Sequence, residues 1–258
     1  LDVDSTALGF AGGFPGEFIS KTLEESKIHT DFIEVDEDTR INVKLKSGQE
    51  TEINAPGPKV TQDQFQALLT QIKNTTNKDT VIVAGSVPNS IPSDAYAQIA
   101  EITKNTGAKL VVDAEKDLVE TVLPYQPLFI KPNKDELEVM FNTTVSSDQD
   151  VVKYGKEILK KGAQSVIISL GGDGAVYVDE QQSIKAVNPQ GKVINTVGSG
   201  DSTVAGMVAG LESGLSIQDA FKQAVASGTA TAFEEDLATR DAIEKIKSQV
   251  TVSVLDGE

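Results

Sequence analysis

Hydrophobic and polar positions follow two rhythms along this chain. Residues 6–11 form a short apolar run closed by Gly12-Gly13, which predicts a strand. Residues 15–26 place Phe18, Ile19 and Leu23 at helical spacing. Residues 32–35, 41–45 and 51–53 are short runs, polar on one face. They predict a small antiparallel sheet, with Lys46-Ser47-Gly48-Gln49 as its hairpin turn. Asn54-Ala55-Pro56-Gly57-Pro58 then breaks the pattern.

A regular alternation follows. Residues 61–72, 93–106, 134–141 and 148–160 have helical spacing, and 81–84, 109–112, 128–130 and 165–169 read as strands. The 165–169 strand is apolar along most of its length, as expected where helices cover both faces of a sheet. After residues 171–174 come two more strands, 175–178 and 183–187, and then three helices, 199–213, 217–233 and 240–250. This order predicts an α/β fold with a mainly parallel sheet and helical crossovers. The polar strands between 32 and 53 do not fit that sheet. They are read as a β lid at about 31–55, over one edge of a single domain spanning 1–258.

Composition narrows the chemistry. The 258 residues are 39% apolar and 24% charged, ordinary for a globular chain. No run approaches the roughly 18 apolar residues of a membrane span, and no signal-peptide pattern opens the sequence. There is no cysteine, which excludes disulfides, thiolate catalysis and Cys-ligated zinc. The one histidine, His29, excludes a multi-His metal site and reads as a surface or edge residue. A net charge of −16 repels nucleic acid and anionic membranes, so neither is an expected partner. A phosphate-bearing small molecule is still admissible, because amides and cations can cluster locally. The cytoplasm is the expected compartment.

Asn195-Thr196-Val197-Gly198-Ser199-Gly200-Asp201 leads directly into a helix rich in small residues. Gly198, Ser199 and Gly200 let the backbone turn sharply and leave amides bare at a positive helix end, an arrangement that binds anions. Asp201, in the first helical turn, either caps that helix or accepts a proton from a hydroxyl beside the anion site. In Lys131-Pro132-Asn133-Lys134-Asp135-Glu136, Asn133 and Glu136 share a face at a helix start. They suit a hydrated Mg²⁺ or, equally, an ordinary capping box, and Lys131 can reach phosphate oxygens. Ser169-Leu170-Gly171-Gly172-Asp173-Gly174 ends a buried strand, where glycines admit a nucleotide or simply make a tight turn. Gly85-Ser86-Val87-Pro88 ends another strand toward the same edge. Arg40 on the lid either clamps a sugar phosphate or lies on a solvated strand face.

Taken in order, these motifs make the chain resemble the ribokinase/phosphofructokinase-B family of sugar kinases. Gly198-Ser199-Gly200-Asp201 is similar to that family's anion hole and catalytic base, Asn133-Lys134-Asp135-Glu136 to its magnesium motif, and residues 169–174 to its nucleotide-phosphate loop. The resemblance implies a ribokinase-like three-layer sandwich and uses ATP and Mg²⁺ as cofactors. It implies nucleotide contacts at Lys131, Asn133, Ser169, Gly171, Gly172, Gly174 and Gly228, metal contacts at Asn133 and Glu136, and substrate contacts at Arg40, Ser86 and Asp201. It also implies a homodimer through the lid. Lys131-Pro132-Asn133, Gly85-Ser86-Val87-Pro88 and residues 195–206 are most similar to the branch that converts fructose 1-phosphate to fructose 1,6-bisphosphate. Tagatose 6-phosphate is the alternative substrate, and a catalytically silent nucleotide-binding protein of the same fold is the alternative class. The chain opens Leu1-Asp2-Val3-Asp4, and Gly12-Gly13-Phe14-Pro15-Gly16 does not match the family's Gly-Gly-Lys-Gly-x-Asn motif. The expectation is therefore that a leading segment is missing, and that the chain alone is poorly stable and inactive.

Overall fold

Alternate residues of a strand face opposite sides of its sheet, and here both sides are apolar. Leu110, Val112, Ile130, Val166 and Ile168 face one helical layer, while Val111, Phe129 and Ile167 face another. The computed structural model describes residues 1, 3–47 and 49–255, with 46, 47 and 49–52 as backbone only. In chain order the first elements are β1 (Thr6–Ala11), α1 (Gly13–Glu25), β2 (His29–Glu34), β3 (Val43–Ser47), β4 (Gln49–Ile53) and α2 (Gln62–Lys73). Next come β5 (Thr80–Ala84), α3 (Ala95–Thr106), β6 (Lys109–Asp113), α4 (Lys116–Val122), β7 (Phe129–Ile130), α5 (Lys134–Phe141) and α6 (Asp148–Lys161). The rest are β8 (Ser165–Ser169), β9 (Ala175–Asp179), β10 (Ser183–Val187), α7 (Ser199–Glu212), α8 (Ile217–Ala232), α9 (Arg240–Lys247) and β11 (Thr251–Val254).

The main sheet has seven strands in the order β11-β10-β9-β8-β7-β6-β5. β5 through β8 pair in parallel, and β9, β10 and β11 add antiparallel steps, so five of the seven strands run one way. Helices α3 to α6 cover one face around Ala100, Val122, Leu137 and Ile158. Helices α7 to α9 cover the other around Met207, Phe221, Ala224 and Ile243. This is the expected three-layer α/β sandwich. Local signals set its helix starts: Thr61 with Gln64 and Ser147 with Asp150 form reciprocal capping boxes at α2 and α6.

Residues 32–35 do not join the antiparallel lid that their polar alternation predicts. Residues 32–34 belong to β2, which pairs in parallel with β1 across the α1 crossover. Short alternating runs look alike in either partnership, and the crossover decides it. The β1–β2 pair is a separate sheet, yet Phe10 packs with Val81 and Val83 against Phe65, Leu69 and Ile72 of α2. β3 and β4 alone form the antiparallel hairpin, and Gly48 of its expected turn lies outside the described residues. The expected helix over 240–250 ends at Lys247, and β11 then closes the sheet against β10. Helix α4 was not foreseen. Among the described residues no helix is long and apolar enough to cross a membrane.

Candidate active site

The carboxyl ends of β5 to β8 line up along one edge of the sheet, where ligands of open α/β folds bind. Gly85-Ser86 follows β5, Asp113 ends β6, Lys131 and Asn133 follow β7, and Ser169 ends β8. Backbone hydrogen bonds hold these ends together. Gly85 N donates to Asp113 O at 3.2 Å, Lys131 N to Val112 O at 3.3 Å, and Ser169 N to Pro132 O at 3.0 Å.

The amino end of α7 meets this edge. Gly198 caps it with φ 78°, a left-handed conformation that costs a side-chain residue energy. Ser199 N donates to Thr196 O and Ser202 N to Gly198 O. The Gly200 and Asp201 amides between them have no partner among the described residues. Two bare amides at the positive end of a helix can hold an anion. Asp201 is exposed, and its carboxylate has no hydrogen bond or ion pair among the described residues, so it does not cap the helix. Packing fixes this turn. Val204 and Met207 are buried against the α8 layer, and Thr203 Oγ1 donates to Ser199 O at 2.9 Å. A side chain at Gly228 would run into Thr203 Oγ1 and lie 2.8 Å from Ser199 O, so only glycine lets α8 cross the turn this closely.

A cavity of about 700 Å³ opens between that turn and the ends of β7 and β8. All seven residues expected to contact nucleotide line it: Lys131, Asn133, Ser169, Gly171, Gly172, Gly174 and Gly228. Ser199 and Gly200 join them. Side chains added at Gly171 or Gly172 would meet nothing within 4 Å, so that loop presents backbone to open space. Gly174 instead packs against the Ala186 carbonyl of β10. Gly198, Asp201 and Glu136 are not in the cavity wall; the first two belong to the adjoining turn and Glu136 to the start of α5.

Asn133 and Glu136 form a reciprocal capping box. Glu136 N donates to Asn133 Oδ1 at 2.8 Å, and Asn133 N to Glu136 Oε2 at 2.7 Å. Asn133 is exposed and Glu136 half-buried. Arg40 and Ser86 meet away from the cavity, at the end of β5, with the guanidinium Nη2 donating to the hydroxyl at 2.9 Å.

Three residues around this edge, Asp113, Tyr96 and Asn188, lie outside the sequence motifs. Asp113 pairs with Lys131, Oδ1 to Nζ 3.2 Å. Burial raises the Asp113 carboxyl above its ordinary value, Lys131 pulls it down, and Asp201 and Glu136 push it up. Burial and then Asp113 push the nearby Tyr96 phenol up to about 12, and its hydroxyl donates to Gly85 O at 2.8 Å. Asn188 bridges the glycine loop to α8. It donates to Gly171 O at 3.0 Å and accepts from Thr229 Oγ1 at 2.9 Å. A polar residue at the end of a buried strand was the available signal for Asp113; nothing local marked Asn188.

The family model for pfkB family carbohydrate kinases matches residues 1–243. The chain belongs to that family. It is 44% identical to the 1-phosphofructokinase of Bacillus subtilis over 98% of this chain and 84% of that protein. It is 37% identical to the D-tagatose-1-phosphate kinase of Bacillus licheniformis over 99% of this chain and 84% of that protein. The solved structure of phosphofructokinase-2 from Escherichia coli in complex with fructose-6-phosphate superposes with a TM-score of 0.89 at 28% identity, covering 96% of this chain and 82% of that one. The family places the chain among ATP-using kinases of small-molecule carbohydrates, which agrees with the expected enzyme class and fold.

Proposed function

We propose that this kinase transfers the γ-phosphoryl group of ATP to fructose 1-phosphate, giving fructose 1,6-bisphosphate. The observation that carries the reading is the free Asp201 carboxylate beside two unpartnered amides, at the mouth of a cavity lined by the glycine loop. The 44% and 39% identities to proteins named 1-phosphofructokinase favour this sugar phosphate. The 37% identity to a D-tagatose-1-phosphate kinase and 33% to a tagatose-6-phosphate kinase support tagatose phosphates as the second reading.

In this mechanism Asp201 accepts the proton of the attacking hydroxyl. The freed oxygen forms a bond to the γ-phosphorus as the bond to the ADP oxygen breaks. The Gly200 and Asp201 amides, the α7 dipole and Lys131 hold the charge on the phosphoryl oxygens. Gly171 and Gly172 present backbone to the nucleotide, and Arg40 with Ser86 receives the phosphate of the sugar.

The residues also fit a hydrated Mg²⁺. The capping box occupies Glu136 Oε2, while Oε1 has no partner among the described residues and the side chain is half-exposed. Among the described residues no three ligating side chains cluster for a metal, so Asn133 and Glu136 would hold the ion largely through water. Bound there, Mg²⁺ would neutralise phosphate charge. A cytoplasmic setting, where ATP and sugar phosphates meet, belongs to the same reading.

The chain is further proposed to pair with a second copy through its hairpin. Ile41, Val43, Leu45 and Ile53 are each at least 42% exposed, and Val43 faces Ile53 across the ladder with Leu45 on the same side of β3, so these last three share one apolar face and Ile41 precedes it. The lid reading of this hairpin over a single domain belongs to the same proposal.

The test is to assay the full-length protein with ATP, Mg²⁺ and a panel of fructose and tagatose phosphates, following ADP release and product by phosphorus NMR. The highest kcat/KM on fructose 1-phosphate is expected. A preference for a tagatose phosphate would move the assignment to the second reading. Tight ATP binding with no turnover on any sugar would overturn it in favour of a silent nucleotide-binding protein.

A further inference from the structure

The ion pair at the centre of the site has more to do than fill space. Lys131 follows β7, and its side chain is only 8% exposed; Asp113, its partner at 3.2 Å, is 19% exposed. Both lie against the first turn of α7. A methyl group added at Gly200 would sit 3.2 Å from Lys131 Nζ and 4.0 Å from Asp113 Oδ2. Removing two charges from water costs about as much as their attraction returns, so such a pair is a poor device for stability. It is a good device for orientation, because a lysine stem has many rotamers and one anchored carboxylate selects among them. Asp113 is itself anchored: it ends β6, and its carbonyl accepts from Gly85 N.

Charge gives that selection a consequence. Asp201 and Glu136 lie close enough to act electrostatically on Asp113. A mobile ammonium here would have three carboxylates to choose from, and pairing with Asp201 would neutralise the proposed proton acceptor. Lys131 pairs with Asp113, and no other carboxylate lies within ion-pair distance of it among the described residues.

We propose that Asp113 is a positioning residue that ties Lys131 to the first turn of α7, keeping the ammonium facing the transferred phosphoryl group and away from Asp201. This rests on the reading of Asp201 as base and Lys131 as phosphate contact.

The test compares Asp113→Asn, Asp113→Ala, Lys131→Met and the double variant Asp113→Ala/Lys131→Met in the full-length enzyme, with kcat and both KM values measured. Thermal unfolding of each variant shows that it is folded. If the alanine variant fails to fold, the isosteric Asp113→Asn and its double with Lys131→Met carry the comparison. Each Asp113 substitution is expected to lower kcat about tenfold or more while leaving the sugar-phosphate KM in place, as supporting partners of functional side chains commonly do. In the Lys131→Met background the same substitution is expected to have no further effect on kcat, since nothing is left to position. An undiminished loss in that background would mean that Asp113 acts directly, and would overturn the proposal while sparing the reading of Lys131. A raised sugar-phosphate KM with kcat retained would reassign Asp113 to shaping the Gly85-Ser86 loop and also overturn it. Parental kcat in Asp113→Asn and Asp113→Ala would overturn it as well. Parental kcat in Lys131→Met alone would show that the phosphate-contact reading has failed, and the proposal with it.

Discussion

The Arg40 guanidinium donates to the Ser86 hydroxyl at 2.9 Å, joining the segment before the β3–β4 hairpin to the loop that ends β5. Both side chains are exposed, and the bond leaves most of the guanidinium's donors open to a ligand. A phosphate bound here would take up Arg40 and Ser86 together. Arg40→Ala is therefore expected to raise the KM for the sugar phosphate about tenfold or more, the scale of one charged hydrogen bond. The KM for ATP should stay near its parental value, because neither residue lines the cavity proposed to hold the nucleotide. Steady-state kinetics with each substrate varied in turn checks this, and an equal rise in both constants would remove Arg40 from the sugar site.

The unpaired Asp201 carboxylate sets up the second prediction. Asp201→Asn keeps the size of the side chain and both neighbouring amides, so nucleotide binding should persist. The proposed proton acceptor is gone, and kcat should fall about 10²- to 10⁴-fold, the usual range for loss of a general base. Calorimetric titration with ATP and a steady-state assay on one preparation separate the two quantities. A variant with near-parental kcat would return Asp201 to a structural role.

The α/β rhythm was legible because it depends on local patterning. The expected spans 6–11, 134–141, 165–169 and 183–187 coincide with β1, α5, β8 and β10. What was not legible depends on which elements become neighbours. β2 has the alternation of a lid strand, and only its crossover to β1 shows otherwise. Asp113 directly follows the expected strand 109–112, and only the pairing of β6 with β7 puts its carboxylate 3.2 Å from Lys131 Nζ. Gly228 enters only through the family resemblance, and the structure shows a packing constraint against Thr203 and Ser199 that no local signal carries.

Glu136 has one observed role and one proposed role, and one substitution can separate them. Its Oε2 accepts from Asn133 N in the capping box, a neutral-acceptor role that glutamine can also fill. Its charge is what a hydrated Mg²⁺ would use. Glu136→Gln should leave thermal stability almost unchanged and raise the Mg²⁺ concentration needed for half-maximal rate several-fold, within the roughly 10- to 100-fold ceiling for lost supporting ligands. A Mg²⁺ titration of the rate, beside a melting curve, tests this. Lost stability with an unmoved Mg²⁺ dependence would leave the residue as a cap only.

The helix that carries Asp201 is tied at its far end as well. Glu212 closes α7, and its Oε1 accepts from Thr80 Oγ1 at 2.7 Å and Lys109 Nζ at 3.0 Å. Thr80 and Lys109 open β5 and β6, the strands whose opposite ends bring Ser86 and Asp113 to the site. A carboxylate at a helix carboxyl end is disfavoured by the dipole, so its partners must hold it there. The hydrogen bonds from Thr80 and then Lys109 lower the Glu212 carboxyl below its ordinary value of 4.5. A depressed folded value means that the charged form is favoured by folding. The stabilisation is therefore present above about pH 4.5 and is lost as pH falls through the lowered folded value. Glu212→Gln keeps the shape and removes the charge. At neutral pH the variant should be less stable by about 1 kcal/mol or less, as befits a partly exposed pair. The difference should shrink as the pH is lowered, because the parent then loses its charge too. Thermal unfolding of parent and variant between about pH 3 and pH 7 measures this directly. No difference between parent and variant at any pH in that range would mean that the Glu212 charge contributes nothing and that only the side chain's shape anchors α7.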